Sequence, residues 1–263
     1  MTVLPSHPTA LTDRVVLVTG ASAGIGAACA RAFSAAGARL ILAARRIDRL
    51  DSVARALVDS GGCAPHLLTL DVRDAPAVAR AVDGLPDAWA EVEVLVNNAG
   101  LGRGLDPLHR GDPEEWDAMI DTNLKGLLYV TRSVLPGMVG RGKGHVINIG
   151  SLAGHEVYPG GAVYCATKHA VGAITRGLRM DMLGTGVRVS TVDPGMVETE
   201  FSVVRFGGDR ARAERVYAGM TPLRPEDVAE AVVWCATRPP HVNVDEIVLM
   251  PTDQASATQV DRR

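Results

Sequence analysis

Short runs of apolar, often β-branched residues alternate with amphipathic stretches between about residues 15 and 250. Runs at 15–19, 39–43, 66–70, 94–96, 145–149, 187–192 and 246–250 predict seven strands. Several are apolar at successive positions rather than at every second one, the pattern of parallel strands covered on both faces. Patterns of helical period begin near Ile25, Ile47, Ala75, Asp112, Ala162 and Pro225, the last preceded by the turn-forming Thr221-Pro222. This alternation predicts a single α/β domain: a doubly wound, parallel, seven-stranded sheet with helices on both faces.

The same pattern sets the limits of that domain. Residues 1–13, with Pro5, Ser6, His7 and Pro8, read as a flexible arm and lack the basic-then-apolar order of a secretory signal. Residues 14–254 form the domain, and 255–263 a tail. Within the domain, residues 195–219 are rich in Gly and Arg and show no strand pattern, which predicts a lid or binding loop.

Composition narrows the function. A length of 263 residues suits one domain of this type. A net charge of -3 and aromatics at 4% provide neither the basic field nor the stacking surface that nucleic-acid binding uses. No apolar run reaches the length of a membrane span. Cys29, Cys63, Cys165 and Cys235 form no CxxC pair, which reads as reduced thiols of a cytoplasmic protein rather than a metal or redox site. Cys165 reads as a small packing residue.

The first chemical motif is Thr19-Gly20-Ala21-Ser22-Ala23-Gly24-Ile25-Gly26, between the first strand and the first helix. Glycines let the chain turn sharply and approach a pyrophosphate, and the helix start offers unpaired N–H groups. An ordinary glycine-rich turn would look similar in isolation, but this position early in the chain favours a dinucleotide. At the end of the second strand stands Ala43-Ala44-Arg45-Arg46, without the acid that would hold an unphosphorylated ribose. Arg45 and Arg46 are matched to the 2′-phosphate of NADP, which a carboxylate would repel. Both could equally be solvated at a helix start.

Tyr164 and Lys168 stand four apart on a predicted helix and so share a face. An ammonium beside the phenol would favour the phenolate and make an acid/base for alcohol–carbonyl chemistry. Ser151 follows the strand ending at Ile149, at the sheet edge where ligands bind, and can donate to a reacting oxygen.

These pieces occur in one order together with Asp71-Val72, Asn97-Asn98-Ala99-Gly100, Asn123, Tyr164-Cys165-Ala166-Thr167-Lys168 and Pro194-Gly195. From the glycine turn to its end the chain resembles the short-chain dehydrogenases/reductases, a family with a Rossmann fold. The resemblance implies Tyr164 as acid/base, Lys168 on the nicotinamide ribose and tuning the tyrosine, Ser151 on the substrate, and Asn123 anchoring a water relay. It implies Asp71 and Val72 around the adenine, and Asn98, Ala99 and Gly100 as a cofactor floor. Pro194, Gly195 and Val197 would lie along the cofactor, with Thr199 on the carboxamide. A homotetramer is likewise implied.

A narrower resemblance lies in the second half. Asp121-Thr122-Asn123-Leu124-Lys125-Gly126, Tyr158-Pro159-Gly160-Gly161, Val197-Glu198-Thr199-Glu200-Phe201-Ser202, Val204-Arg205-Phe206 and Met250-Pro251-Thr252-Asp253-Gln254 are similar to NADP-dependent 3-hydroxy acid dehydrogenases acting on serine, allo-threonine and related acids. His155 departs from that group, standing where an arginine is expected. Arg205 is then the candidate carboxylate anchor, with a surface arginine as the alternative. Arg210, Arg212 and Arg215 read as a solvated helix face. Two other functions stay open: reduction of another small ketone or aldehyde, and nucleotide binding without turnover. The intact Asn123, Ser151, Tyr164 and Lys168 set argues against the latter.

Overall fold

The computed structural model describes residues 11–263. Its centre is a seven-stranded, wholly parallel sheet in the order β3-β2-β1-β4-β5-β6-β7. The strands are β1 (Val15–Thr19), β2 (Arg39–Ala44), β3 (His66–Thr69), β4 (Val92–Asn97), β5 (Gly144–Ile149), β6 (Val187–Pro194) and β7 (Glu246–Leu249). Order reverses between β1 and β4, which opens a crevice at the carboxyl ends of those strands.

Alternation along each strand explains the two layers. Val16, Val18, Leu40 and Leu42 join a core with Phe33 of α1 (Gly24–Ala35) and Val228 and Val232 of α10 (Pro225–Ala236). Val15, Leu17, Ile41 and Ala43 point the other way, toward Val78 of α3 (Ala75–Asp83) and Val130, Val134 and Met138 of α6 (Leu127–Arg141). Both faces of the central strands are covered, so β1 and β2 are buried almost throughout, whereas the edge strand β7 exposes Glu246 and Val248. The remaining helices are α2 (Ile47–Asp59), α4 (Asp87–Ala90), α5 (Pro113–Ile120), α7 (Ala162–Asp181), α8 (Phe201–Arg205) and α9 (Arg210–Arg215).

Several differences from the sequence reading have local causes. Leu11, assigned to the arm, is fully buried and its N–H bonds Ala36 O, so the docked chain begins before residue 14. Residues 1–10 of that arm lie outside the described part. The pattern starting at Asp112 continues past α5 through a π-helical turn, Asp121–Gly126, directly into α6. Asp112 caps α5 by accepting from the Glu114 N–H, with Pro113 next to it. Residues 195–219 hold the short helices α8 and α9 rather than an open loop. The 255–263 segment is hydrogen-bonded back onto that region: Arg262 donates to Val216 O and Ala218 O, and Arg263 N–H to Gly219 O.

Candidate active site

A cleft of about 590 Å³ runs along the carboxyl ends of the strands. Its floor begins at the β1–α1 turn. Gly20 and Gly24 hold positive φ, +65° and +53°, which glycine adopts without strain. A Cβ on Gly20 would stand 2.8 Å from Asn98 Nδ2, and one on Gly26 would overlap Gly20 O and the Asn98 amide. Asn98 Nδ2 donates to Thr19 O (2.9 Å), while Thr19 Oγ1 accepts from the N–H groups of Asn98 and Ala99 (both 3.0 Å). The turn is thus locked to the end of β4 by side chains. Helix α1 has no side-chain cap at Ala23 and no acid in its first turn, so its N–H groups and dipole face the cleft.

This geometry fits a dinucleotide pyrophosphate, and the next residues fit its adenosine end. Arg45 and Arg46 are exposed where β2 stops. Arg46 donates to Ser22 Oγ (3.3 Å) and to Glu200 (3.2 Å). Asp71 pairs with Arg73 (2.6 Å), which holds its carboxyl below the usual range.

The other end of the cleft lies between α7, the β5 terminus and α8. Lys168 is buried and donates from Nζ to Ile149 O at 2.9 Å. Burial lowers its pKa to about 8, against the opposing charge of Asp193. Ser151 Oγ accepts from Ala153 N–H (3.1 Å), which fixes the loop after β5. Tyr164 lies beside Phe201, ring centroids 5.5 Å apart, with the Arg205 guanidinium 4.7 Å over its ring. Burial raises the Tyr164 pKa, and Arg205 and the Ser151 hydroxyl pull against it.

Lys168 Nζ is 6.0 Å from the Tyr164 ring centroid and committed to a carbonyl, and Arg205 is the strongest cation opposing the rise of the phenol.

Asn123 sits in the π-turn, fully enclosed. Its amide donates to Leu101 O (2.9 Å) and Thr167 Oγ1 (3.1 Å), and its Oδ1 accepts from Leu101 N–H (2.8 Å). It joins the 97–101 floor to α7 from behind rather than lining the cleft. Gly26 is also a packing position. Ser22, Ala23, Ile25, Asp71, Val72, Ala99, Gly100, Pro194, Gly195, Val197 and Thr199 all line the cleft.

Arg205 is the most informative of the expected residues. Its NH2 donates to Tyr158 Oη at 2.9 Å, yet its Nε is buried with no partner among the described residues. That Nε packs against Gly102, while Arg205 also lines the cleft, where its guanidinium suits an anionic ligand. Burial raises Tyr158 to about 12, so that phenol stays neutral. His155 does not line the cleft; it bonds Asp193 (2.7 Å), with Glu246 at 3.9 Å. Sequence reasoning gave no role to Tyr158, Arg103 or Glu200. Only their place in the fold reveals them, because each acts through a contact distant in sequence: Arg103 with Val204 O (2.9 Å), Glu200 with α2, and Tyr158 with Arg205.

Comparison with known proteins agrees with this architecture. The family model for short chain dehydrogenases matches residues 14–206. The NADP-dependent 3-hydroxy acid dehydrogenase YdfG of Salmonella typhi is 50% identical over 244 residues, covering 92% of this chain and 97% of that one. Sulfoacetaldehyde reductase 2 of Chromohalobacter salexigens is 50% identical over 250 residues, covering 94% and 98%. The closed form of a serine dehydrogenase complexed with NADP+ superposes with a TM-score of 0.89 at 47% identity, covering 95% and 99%. The chain belongs to the short-chain dehydrogenase family.

Proposed function

We propose that this protein is an NADP-dependent oxidoreductase that interconverts small 3-hydroxy acids of the serine, allo-threonine, 3-hydroxyisobutyrate or 3-hydroxypropionate type with their carbonyl forms. The observation that carries the substrate reading is the Arg205 guanidinium, which lines the cleft above the Tyr164 ring. A small carboxylate entering the cleft loses water, and a guanidinium offsets that loss with directed hydrogen bonds. The names of the two similar dehydrogenases support the same class.

NADP is held by the 20–26 turn and the α1 N-terminus, by Ser22, Arg45 and Arg46 at the 2′-phosphate, and by Asp71 and Val72 at the adenine. Asn98, Ala99 and Gly100 form its floor, with Pro194, Gly195, Val197 and Thr199 along the nicotinamide half. When bound, it supplies the hydride-accepting or hydride-donating carbon. Tyr164 Oη moves the proton. Raised by burial, the phenol is protonated at neutral pH and donates to the oxygen of a carbonyl being reduced; in oxidation it first gives up that proton to solvent, and the phenolate accepts from the hydroxyl. Ser151 donates to the same oxygen, and Arg205 favours the phenolate as well as binding carboxylate. Lys168 holds the nicotinamide ribose, and Asn123 ties the floor to α7 for the proton relay. Residues 195–219 are the lid, Arg103 and Gly104 clasping its α8 helix through Val204 O and Arg205 O.

The second reading is reduction of an aldehyde bearing another anion. It is favoured by the similarity to the sulfoacetaldehyde reductase and by Arg103 beside Arg205, because a guanidinium also suits a sulfonate. Two exposed apolar sets support a homotetramer: Leu128, Val139, Met180 and Leu183, and Trp234, Val248 and Met250. All four cysteines are free thiols, in keeping with a cytoplasmic setting. No helix among the described residues is long and apolar enough to cross a membrane. Initial rates over a panel of 3-hydroxy acids, sulfoacetaldehyde and neutral alcohols, each with NADP(H) and NAD(H), test the reading. Equal rates with acids and neutral alcohols would contradict it.

A further inference from the structure

Charge along the cleft is unevenly paired. The acids that line it are Asp71 and Glu200. Arginines already hold both: Asp71 pairs with Arg73 at 2.6 Å, and Glu200 with Arg49 at 2.6 Å and Arg46 at 3.2 Å. At the other end Arg103, Lys168 and Arg205 line the cleft, and none of them is in an ion pair among the described residues. Lys168 Nζ is committed to Ile149 O and is assigned above to the nicotinamide ribose. Two guanidiniums remain for the substrate, and one carboxylate fills the fork of only one.

Arg103 stands beside Arg205 but is anchored apart from it. In the stretch after the 98–100 floor, Leu101, Arg103 and Leu105 line the cleft. Gly102 lets this stretch press against the lid, since a Cβ there would stand 2.8 Å from both Nε and NH2 of Arg205. Arg103 NH1 donates to Val204 O at 2.9 Å, which is the guanidinium's one hydrogen bond among the described residues and leaves its other donors for a ligand. Arg205 is held elsewhere, by Tyr158 Oη at 2.9 Å and over the Tyr164 ring at 4.7 Å. Leu101, Leu105, Val204 and Phe206 make the wall around Arg103 apolar. A mono-acid on Arg205 would leave the Arg103 charge uncompensated beside a second cation while the bound substrate displaces water, which is costly.

We propose that Arg103 is a second anion anchor and that the substrate is a 3-hydroxy acid with a second anionic group, a 3-hydroxy dicarboxylate. Arg205 holds one carboxylate and Arg103 the other, with the apolar wall against the carbon chain between them. This rests on the 3-hydroxy acid reading above and narrows it. In oxidation the hydroxyl carbon gives its hydride to NADP+ and the hydroxyl proton leaves through Tyr164, so the product is the 3-oxo dicarboxylate.

Three alcohols that differ by one carboxylate at a time test this on the full chain with saturating NADP+: 2-butanol, 3-hydroxybutyrate and 3-hydroxyglutarate. In the wild type kcat/KM is expected to rise about tenfold or more at each step, the gain of one charge-assisted pair. Arg103→Leu should abolish the second step and keep the first, and Arg103→Glu should invert the second, so that 3-hydroxybutyrate becomes the better substrate. An arginine that only clasps the lid predicts the same loss on all three alcohols. 3-Hydroxyadipate against 3-hydroxypentanoate repeats the comparison with the far arm one methylene longer. A preference for either dicarboxylate that Arg103→Leu removes supports the second anchor. No preference for either, or an equal loss on mono- and dicarboxylates in Arg103→Leu, would overturn it. Equal wild-type kcat/KM for 2-butanol and 3-hydroxybutyrate would instead overturn the 3-hydroxy acid reading on which it rests.

Discussion

The Arg205 guanidinium lies 4.7 Å over the Tyr164 ring and bonds Tyr158 Oη at 2.9 Å, so one cation from the 195–219 segment touches both tyrosines that line the cleft beside α7. It acts on Tyr164 more strongly than any other group opposing the effect of burial. Its two proposed tasks are separable by experiment.

Arg205→Ala is expected to raise the KM for serine or 3-hydroxyisobutyrate at least tenfold, about 1.4 kcal/mol or more, while a neutral alcohol is affected far less. Because Arg205 also lowers the phenol pKa, the rise of the oxidation rate with pH should move to higher pH in the variant. Steady-state rates across pH check both effects. A proportional loss on acid and neutral substrates would assign Arg205 to ordering the lid alone.

Tyr164→Phe keeps the ring beside Phe201 and removes the exchangeable proton. Turnover should fall by orders of magnitude, with NADP affinity, read by nucleotide fluorescence titration, nearly retained. Near-normal turnover would remove Tyr164 from proton transfer.

Lys168 predicts a pH-dependent stability. Its pKa is about 8 in the folded protein, below the ordinary lysine value, because burial disfavours the ammonium. Below pH 8 both states carry the proton and the full cost of burying the charge is present. Between about pH 8 and 10 the unfolded chain holds more protons, so this group makes the ligand-free protein more stable as pH rises. The shift corresponds to something on the order of 3 kcal/mol. Lys168→Met should therefore raise the denaturation midpoint at pH 7 and remove that upward slope. A Lys168→Met midpoint no higher than wild type would show that Lys168 is not strained by burial.

Strand and helix placement was legible because apolar runs with two covered faces leave a strong period, as at 15–19 and 39–43. The glycine turn, Ser151, Tyr164 and Lys168 were legible as spaced motifs. The π-turn at Asp121–Gly126 was not, because it preserves helical polarity while shifting register by one residue. Nor was the source of the Tyr164 perturbation. Spacing places Lys168 on the same face, but the direction of its Nζ depends on Ile149 O, and the approach of Arg205 depends on a segment some forty residues away. Glu200, Arg103 and Tyr158 were given no role for the same reason: their partners are set by tertiary contacts. His155 illustrates the opposite case, a departure from the expected arginine that the fold answers by pairing it with Asp193 outside the cleft.

The most direct test of the functional reading is kcat/KM for NADP-linked oxidation of 3-hydroxypropionate against 1-propanol, which share the reacting alcohol and differ in the carboxylate. A guanidinium that pairs with the carboxylate predicts a preference for the acid of at least tenfold to hundredfold, about 1.5–3 kcal/mol, which Arg205→Ala largely removes. Equal kcat/KM for the two alcohols in the wild type would contradict a 3-hydroxy acid dehydrogenase.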